Sequence, residues 1–140
     1  MRKLIGRLVG AMAVLVLATS CSSAPPLAQM SGTVTFKGEP VPAGWISFTP
    51  EAGKGLVKVC QIKNGTYDSS KEGEPGINPG KNLVRIAGFD GHKIPMWGQG
   101  KQIFNPVDMT FEVPSGTSNK NFEIPESAGK NVKIQPTADE

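Results

Sequence analysis

Glycine and proline decide what this chain can become. Its 140 residues include 17 glycines and 12 prolines, punctuation too frequent for long helices, and no stretch sustains a helical period. The segments between these breaks alternate instead. Residues 107–113 set Val107, Met109, Phe111 and Val113 against Asp108, Thr110 and Glu112, the period of a half-buried antiparallel strand. Shorter versions recur at Val34 and Phe36, Ile46 and Phe48, Val84 and Ile86, Phe122 and Ile124, and Val132 and Ile134. Residues 56–63 leave their face open: Val57 and Val59 favour one side, Cys60 and Ile62 the other, and a bulge would reconcile them. Asn64-Gly65 is a strong hairpin signal, because both residues tolerate positive φ, and Thr66-Tyr67-Asp68 is the expected returning strand. Gly38-Glu39 is expected to turn the chain. Pro40 and Pro42 around Val41 belong at an edge or in a connection. The pattern predicts one all-β domain, an antiparallel, immunoglobulin-like β-sandwich of about seven strands.

The N-terminus follows a different pattern. Arg2, Lys3 and Arg7 precede an apolar run over residues 8–17, then Ala18-Thr19-Ser20 and Cys21. Charge, apolar stretch and small residues in that order make a secretion signal; the run is too short for a permanent membrane span. Residues 1–20 carry three of the 15 basic side chains and none of the 12 acidic ones, so the remainder holds 12 of each and is neutral. A neutral domain whose one arginine is Arg85 lacks the positive excess that phosphate backbones need, which sets nucleic acid aside.

Leu17-Ala18-Thr19-Ser20-Cys21 resembles the bacterial lipobox. The resemblance implies cleavage between Ser20 and Cys21, a thioether-linked diacylglycerol on Cys21, and attachment to a membrane of the cell envelope. Ala18 departs from the commoner leucine, and the alternative is an ordinary secretory signal cut near Ala18 or Ala24. Ser22, where aspartate retains such proteins at the inner membrane, implies the outer membrane, facing the periplasm or the cell surface. The expected divisions are a signal at 1–20, a lipidated N-terminus and tether at 21–29, a β-sandwich at 30–136 and a tail at 137–140. With Cys21 lipidated, Cys60 has no intrachain partner, so a disulfide-stapled domain is excluded. Cys60 is then a reactive thiol or a small buried hydrophobe.

Residues 31–44, Ser-Gly-Thr-Val-Thr-Phe-Lys-Gly-Glu-Pro-Val-Pro-Ala-Gly, resemble the opening of carboxypeptidase-regulatory-like domains, which share the transthyretin-like (prealbumin-like) sandwich. Asn64-Gly65-Thr66-Tyr67, Pro79-Gly80-Lys81 and Val84-Arg85-Ile86 resemble that family's later motifs, with Asn82 where a tyrosine is usual, so that a ring plugging the core is expected to be missing. The resemblance covers roughly residues 30–88. It implies a fold rather than a chemistry: such domains serve as non-catalytic appendages, stalk or adhesion modules, or carbohydrate binders.

Candidate chemistry is sparse. His92 is the sole histidine and sits in a glycine-rich turn, and no Gly-x-Ser-x-Gly elbow is present. No spacing motif supports zinc through His92 and Cys60, or calcium through Asp68, Glu72 and Glu74. The expectation is no enzyme, no metal and no cofactor, with a small enzyme or metal-dependent carrier as the remote rival. Residues 88–106 are expected to form a long loop of the length often reserved for function. In it Met96 and Trp97 would form a binding tip, with Gln99 or Asn105 supplying hydrogen bonds; the alternative is that Trp97 and Phe104 cap one end of the sandwich. Trp45 points away from Ile46 and Phe48, free to stack on a sugar or a partner protein or to lie beneath that loop. The expected function is a lipid-anchored, non-catalytic envelope module, structural or binding an envelope protein, or alternatively binding a glycan.

Overall fold

The computed structural model of the protein describes residues 26–73, 75–93 and 98–132. These residues are all-β: nine strands, two short 3₁₀ turns (Ser69–Lys71 and Glu126–Gly129) and no α-helix among them. In chain order the strands are β1 (Gln29–Phe36), β2 (Glu39–Pro40), β3 (Ala43–Pro50), β4 (Lys58–Lys63), β5 (Thr66–Asp68), β6 (Gly80–Phe89), β7 (Gln102–Val113), β8 (Thr117–Asn119) and β9 (Phe122–Ile124). Seven of them make one antiparallel sheet in the order β2-β1-β5-β4-β3-β6-β7, and β8 and β9 join β1 in parallel.

β1 is the strand that holds the sheet together. Its first half pairs with β5 on one side and β8 on the other; its second half pairs with β2 and β9. The sheet curls, so that β7 at one end comes back to β1 and β9 at the other. The Phe36 and Phe104 rings lie 5.1 Å apart, and Phe111 meets Phe122 edge-on at 6.0 Å. Inside the curl are Met30, Val34, Ile46, Phe48, Cys60, Ile62, Val84, Ile86 and Phe104, all buried. Burial of such side chains contributes on the order of 1.5–3 kcal/mol each.

Several sequence expectations change. β4 is regular from Lys58 and needs no bulge: Cys60 and Ile62 point inward with Lys58 between the core and the 3₁₀ turn, while Val57 and Val59 are exposed. The buried Lys58 ammonium donates to the carbonyls of Glu72 at 3.3 Å and Gly73 at 2.6 Å, which is how a charge is tolerated on the inner face. The first turn is Lys37-Gly38, at φ 53° and 78°, because Phe36 faces Glu39 across it and Glu39 already belongs to β2.

The long loop at 88–106 is also shorter than expected. Residues 88–89 complete β6 and residues 102–106 begin β7, with a register shift where Gly88 faces Phe104. Pro106 fits inside β7 because β7 is an edge strand, with no second neighbour among the described strands to receive an N–H. Finally, the polar Asn82 has a structural part of its own. Asn82 is buried, and its amide donates to the carbonyls of Asn78 at 2.8 Å and Gly80 at 2.9 Å, tying down the turn that enters β6. Val132 follows the last strand rather than forming one, and Ile134 lies outside the described residues.

Candidate functional site

The strand directions sort the connections into two ends. Ala28, just before β1, exchanges backbone hydrogen bonds with Ile77 at 2.7 and 2.8 Å, and Gln29 N donates to Gly116 O. One end therefore gathers the start of the domain with the connections at 51–57, 73–79 and 114–116. The opposite end gathers the two tight turns, at Lys37-Gly38 and Asn64-Gly65, and the connection at 90–101. Trp45, two residues into β3, lies toward this second end with Gln61 and Ala87 as its cross-strand neighbours.

The connection at 90–101 has a fixed base. Asp90 N donates to Lys101 O at 2.9 Å and Gly91 N to Gln99 O at 3.0 Å. The Asp90 carboxylate accepts the backbone N–H groups of His92 at 2.9 Å and Lys101 at 3.0 Å, and these bonds hold its pKa below the ordinary carboxylate value. His92 itself is exposed, its ring 3.5 Å from the same carboxylate. Gln99 is half-buried and contributes its backbone carbonyl to this lock. The Asn105 side chain donates to the carbonyls of Lys130 and Asn131, at 3.1 and 3.4 Å, and so fastens the chain after the second 3₁₀ turn to the start of β7. Met96 and Trp97 lie outside the described residues, as do Ser20 and Cys21. Phe104 is fully buried against Phe36, so it belongs to the core.

A second feature was not anticipated from the sequence. β4 and β5 pair only at Lys63 and Thr66, next to their turn, and then part, because β5 pairs with β1. The Gln61 N–H on the exposed edge of β4 is satisfied by the Glu72 carboxylate at 3.2 Å. The parting opens a groove of about 810 Å³, lined by Thr33, Gln61, Thr66, Asp68, Asn119 and Asn121 among others. Its lining is hydroxyl, amide and carboxylate together with the ammonium groups of Lys63 and Lys71, with Tyr67 below; the Tyr67 hydroxyl is already committed to Lys120 O at 2.7 Å. Gln61 joins this groove to Trp45, which is half-buried on the outward side of the sheet. The signal in the sequence was the short polar set Ser31, Thr33, Thr66 and Asp68 on the outward positions of β1 and β5.

No family model, characterised protein or solved structure matches the chain. The remaining chemistry is described by the residues themselves. Cys60 is buried, and desolvation pushes its thiol up to about 11 against the partial opposition of Lys58, so it stays protonated and a poor nucleophile. Across β6 and β7, Arg85 and Asp108 form a bidentate pair at 2.6 and 2.7 Å on the exposed face. That bond lowers the Asp108 pKa. Among the described residues no three His, Cys, Asp or Glu side chains gather as a metal would require, and no helix is long and apolar enough to cross a membrane.

Proposed function

We propose that the chain is a lipid-anchored, non-catalytic module of the bacterial cell envelope. Cys21 carries the lipid, and the far end of the curled sheet meets another envelope component. The observation that carries this reading is the separation of the two ends. The domain begins at Ala28, seven residues after Cys21, on the end opposite the locked 90–101 connection and Trp45. A module held at one end, with the base of a connection fastened by Asp90 at the other, suits contact across a gap. The split pairing of β1 supports the transthyretin-like sandwich that the resemblance implies. The low nucleophilicity of Cys60 and the exposure of His92 fit a non-catalytic role.

Replacing Cys21 by serine tests the anchor. Two or three acyl chains, at roughly 0.8 kcal/mol per buried CH₂, hold a protein on a membrane essentially permanently. The natural chain should therefore sediment with membranes, and Cys21→Ser should move to the soluble fraction. Recovery of the natural chain in the soluble fraction would reject the proposal.

The groove favours a second reading, a glycan ligand. Sugars are held by hydroxyl and amide hydrogen bonds beside an aromatic face; Gln61, Thr66 and Thr33 in the groove, with Trp45 paired to Gln61 at its edge, supply that combination. Titration calorimetry with soluble oligosaccharides released from the envelope is the measurement. On this reading Trp45→Ala weakens binding about tenfold, equivalent to about 1.4 kcal/mol and one aromatic contact. Equal binding by both forms would remove Trp45 from the site.

A further inference from the structure

The described residues expose five large aliphatic side chains: Leu27, Leu56, Val57, Val59 and Leu83. Single exposed aliphatics are normal on any surface; their gathering in one region is not. All five lie in the half of the domain nearest the start of β1. Leu27 directly precedes Ala28, whose backbone pairs with Ile77, and the Asn78 amide donates to Leu56 O at 2.9 Å. Residues 76–78 thus have Leu27 on one flank and Leu56 on the other. Leu56 and Val57 are the most prominent, 63% and 53% exposed. Val59 continues outward along β4 opposite Ser47, and Leu83 lies three residues into β6 opposite Thr49. The described residues at the opposite end expose no large aliphatic side chain.

We propose that this end of the domain is a membrane-contacting surface, with Leu27, Leu56 and Val57 seated at the boundary of headgroups and acyl chains. The inference rests on the lipid anchor at Cys21 and adds the orientation in which the anchored domain sits. Chain length selects the occupant. The seven steps from Cys21 to Ala28 reach at most about 25 Å even when fully extended, so the end of the domain that holds Ala28 stays within that distance of the bilayer. β1 then carries the chain about 26 Å further away at 3.3 Å per residue. The aliphatic end is therefore the one that reaches lipid, and the Trp45 end is held off.

The charges at this end fit a lipid surface without selecting an anionic one. Lys81 is paired with Glu51 at 3.4 Å, and Thr110 donates to the same carboxylate at 3.0 Å. Lys71 is paired with Asp68 at 3.7 Å, and Lys54 is exposed. Contact through aliphatic side chains alone is shallow, of the order of 5–10 Å, and insensitive to salt.

The test uses the full lipidated chain, purified from membranes and bound to neutral phosphatidylcholine vesicles. An environment-sensitive fluorophore is attached to Leu56→Cys in one preparation and Glu39→Cys in another. Buried, protonated Cys60 takes no label in the folded protein. The proposal expects a blue shift and quenching by spin-labelled lipid at position 56, unchanged by salt, and neither at position 39. Equal signals at both positions, on protein that still floats with the vesicles, would leave the anchor standing and overturn the orientation. A blue shift at position 56 that rises with protein concentration in detergent, without vesicles, would assign the surface to a second copy of the chain and overturn it as well. Protein that fails to float with the vesicles would remove the anchor reading and the orientation with it.

Discussion

Phe104→Ala should lower the stability of the domain by about 3–5 kcal/mol, the usual loss for an aromatic ring removed from a closed core. That is a large part of the roughly 5–15 kcal/mol that holds a domain together. The ring is fully buried, lies 5.1 Å from Phe36, and occupies the space left by Gly88 on the paired strand. A Cβ at Gly88 would come within 2.3 Å of it. Little can collapse into the vacated volume, because the wall on that side is backbone. Urea unfolding should show a lower midpoint with an unchanged slope. A loss below about 1 kcal/mol would place the ring in a site that relaxes freely and would contradict the closed seam between β7 and β1.

Gly44→Ala should cost about 3 kcal/mol or more, the upper part of the range for added bulk in a packed interior. A Cβ there would sit 2.1 Å from the carbonyl oxygen of Ala87, and 3.1 Å from Ala87 C and Gly88 Cα. All three atoms are backbone of the paired strand, so no rotamer relieves the contact, and β3 must separate from β6 or slip. Gly98→Ala is the control, since nothing lies within 4 Å of a Cβ at that position. The midpoint should fall for Gly44→Ala and stay in place for Gly98→Ala. Equal midpoints would show that the β3–β6 pairing yields easily.

The elements readable in the sequence were those whose side chains alternate against the core. The second half of β7 and the Asn64-Gly65 hairpin are both where the pattern puts them. The first half of β7 was hidden by Asn105 and Pro106, which break the pattern without breaking an edge strand. β8 was hidden because Thr117, Ser118 and Asn119 bury almost nothing; only backbone pairing with β1 makes it a strand. β4 was ambiguous because its inner face includes a lysine, and only the carbonyls of residues 72 and 73, distant in sequence, make that position acceptable. Of the candidate site, Trp45 was visible as an outward aromatic. The groove was not, because it arises from two adjacent strands parting to take different partners. The part of Asp90 in closing the base of the 90–101 connection was not legible, because it depends on Lys101, eleven residues on.

The dependence of β1 on strands near the other end of the chain also sets when the fold can form. Thr33 N donates to the Asn121 side chain 88 residues later, and the Phe36 end of β1 pairs with β9. Closing loops of that length before any reward from the contacts makes folding slow. A partial chain ending before residue 117 lacks both parallel neighbours of its first strand, so the sheet completes only when nearly the whole polypeptide is available. The topology itself keeps the domain open until its last strands are available to pair with its first.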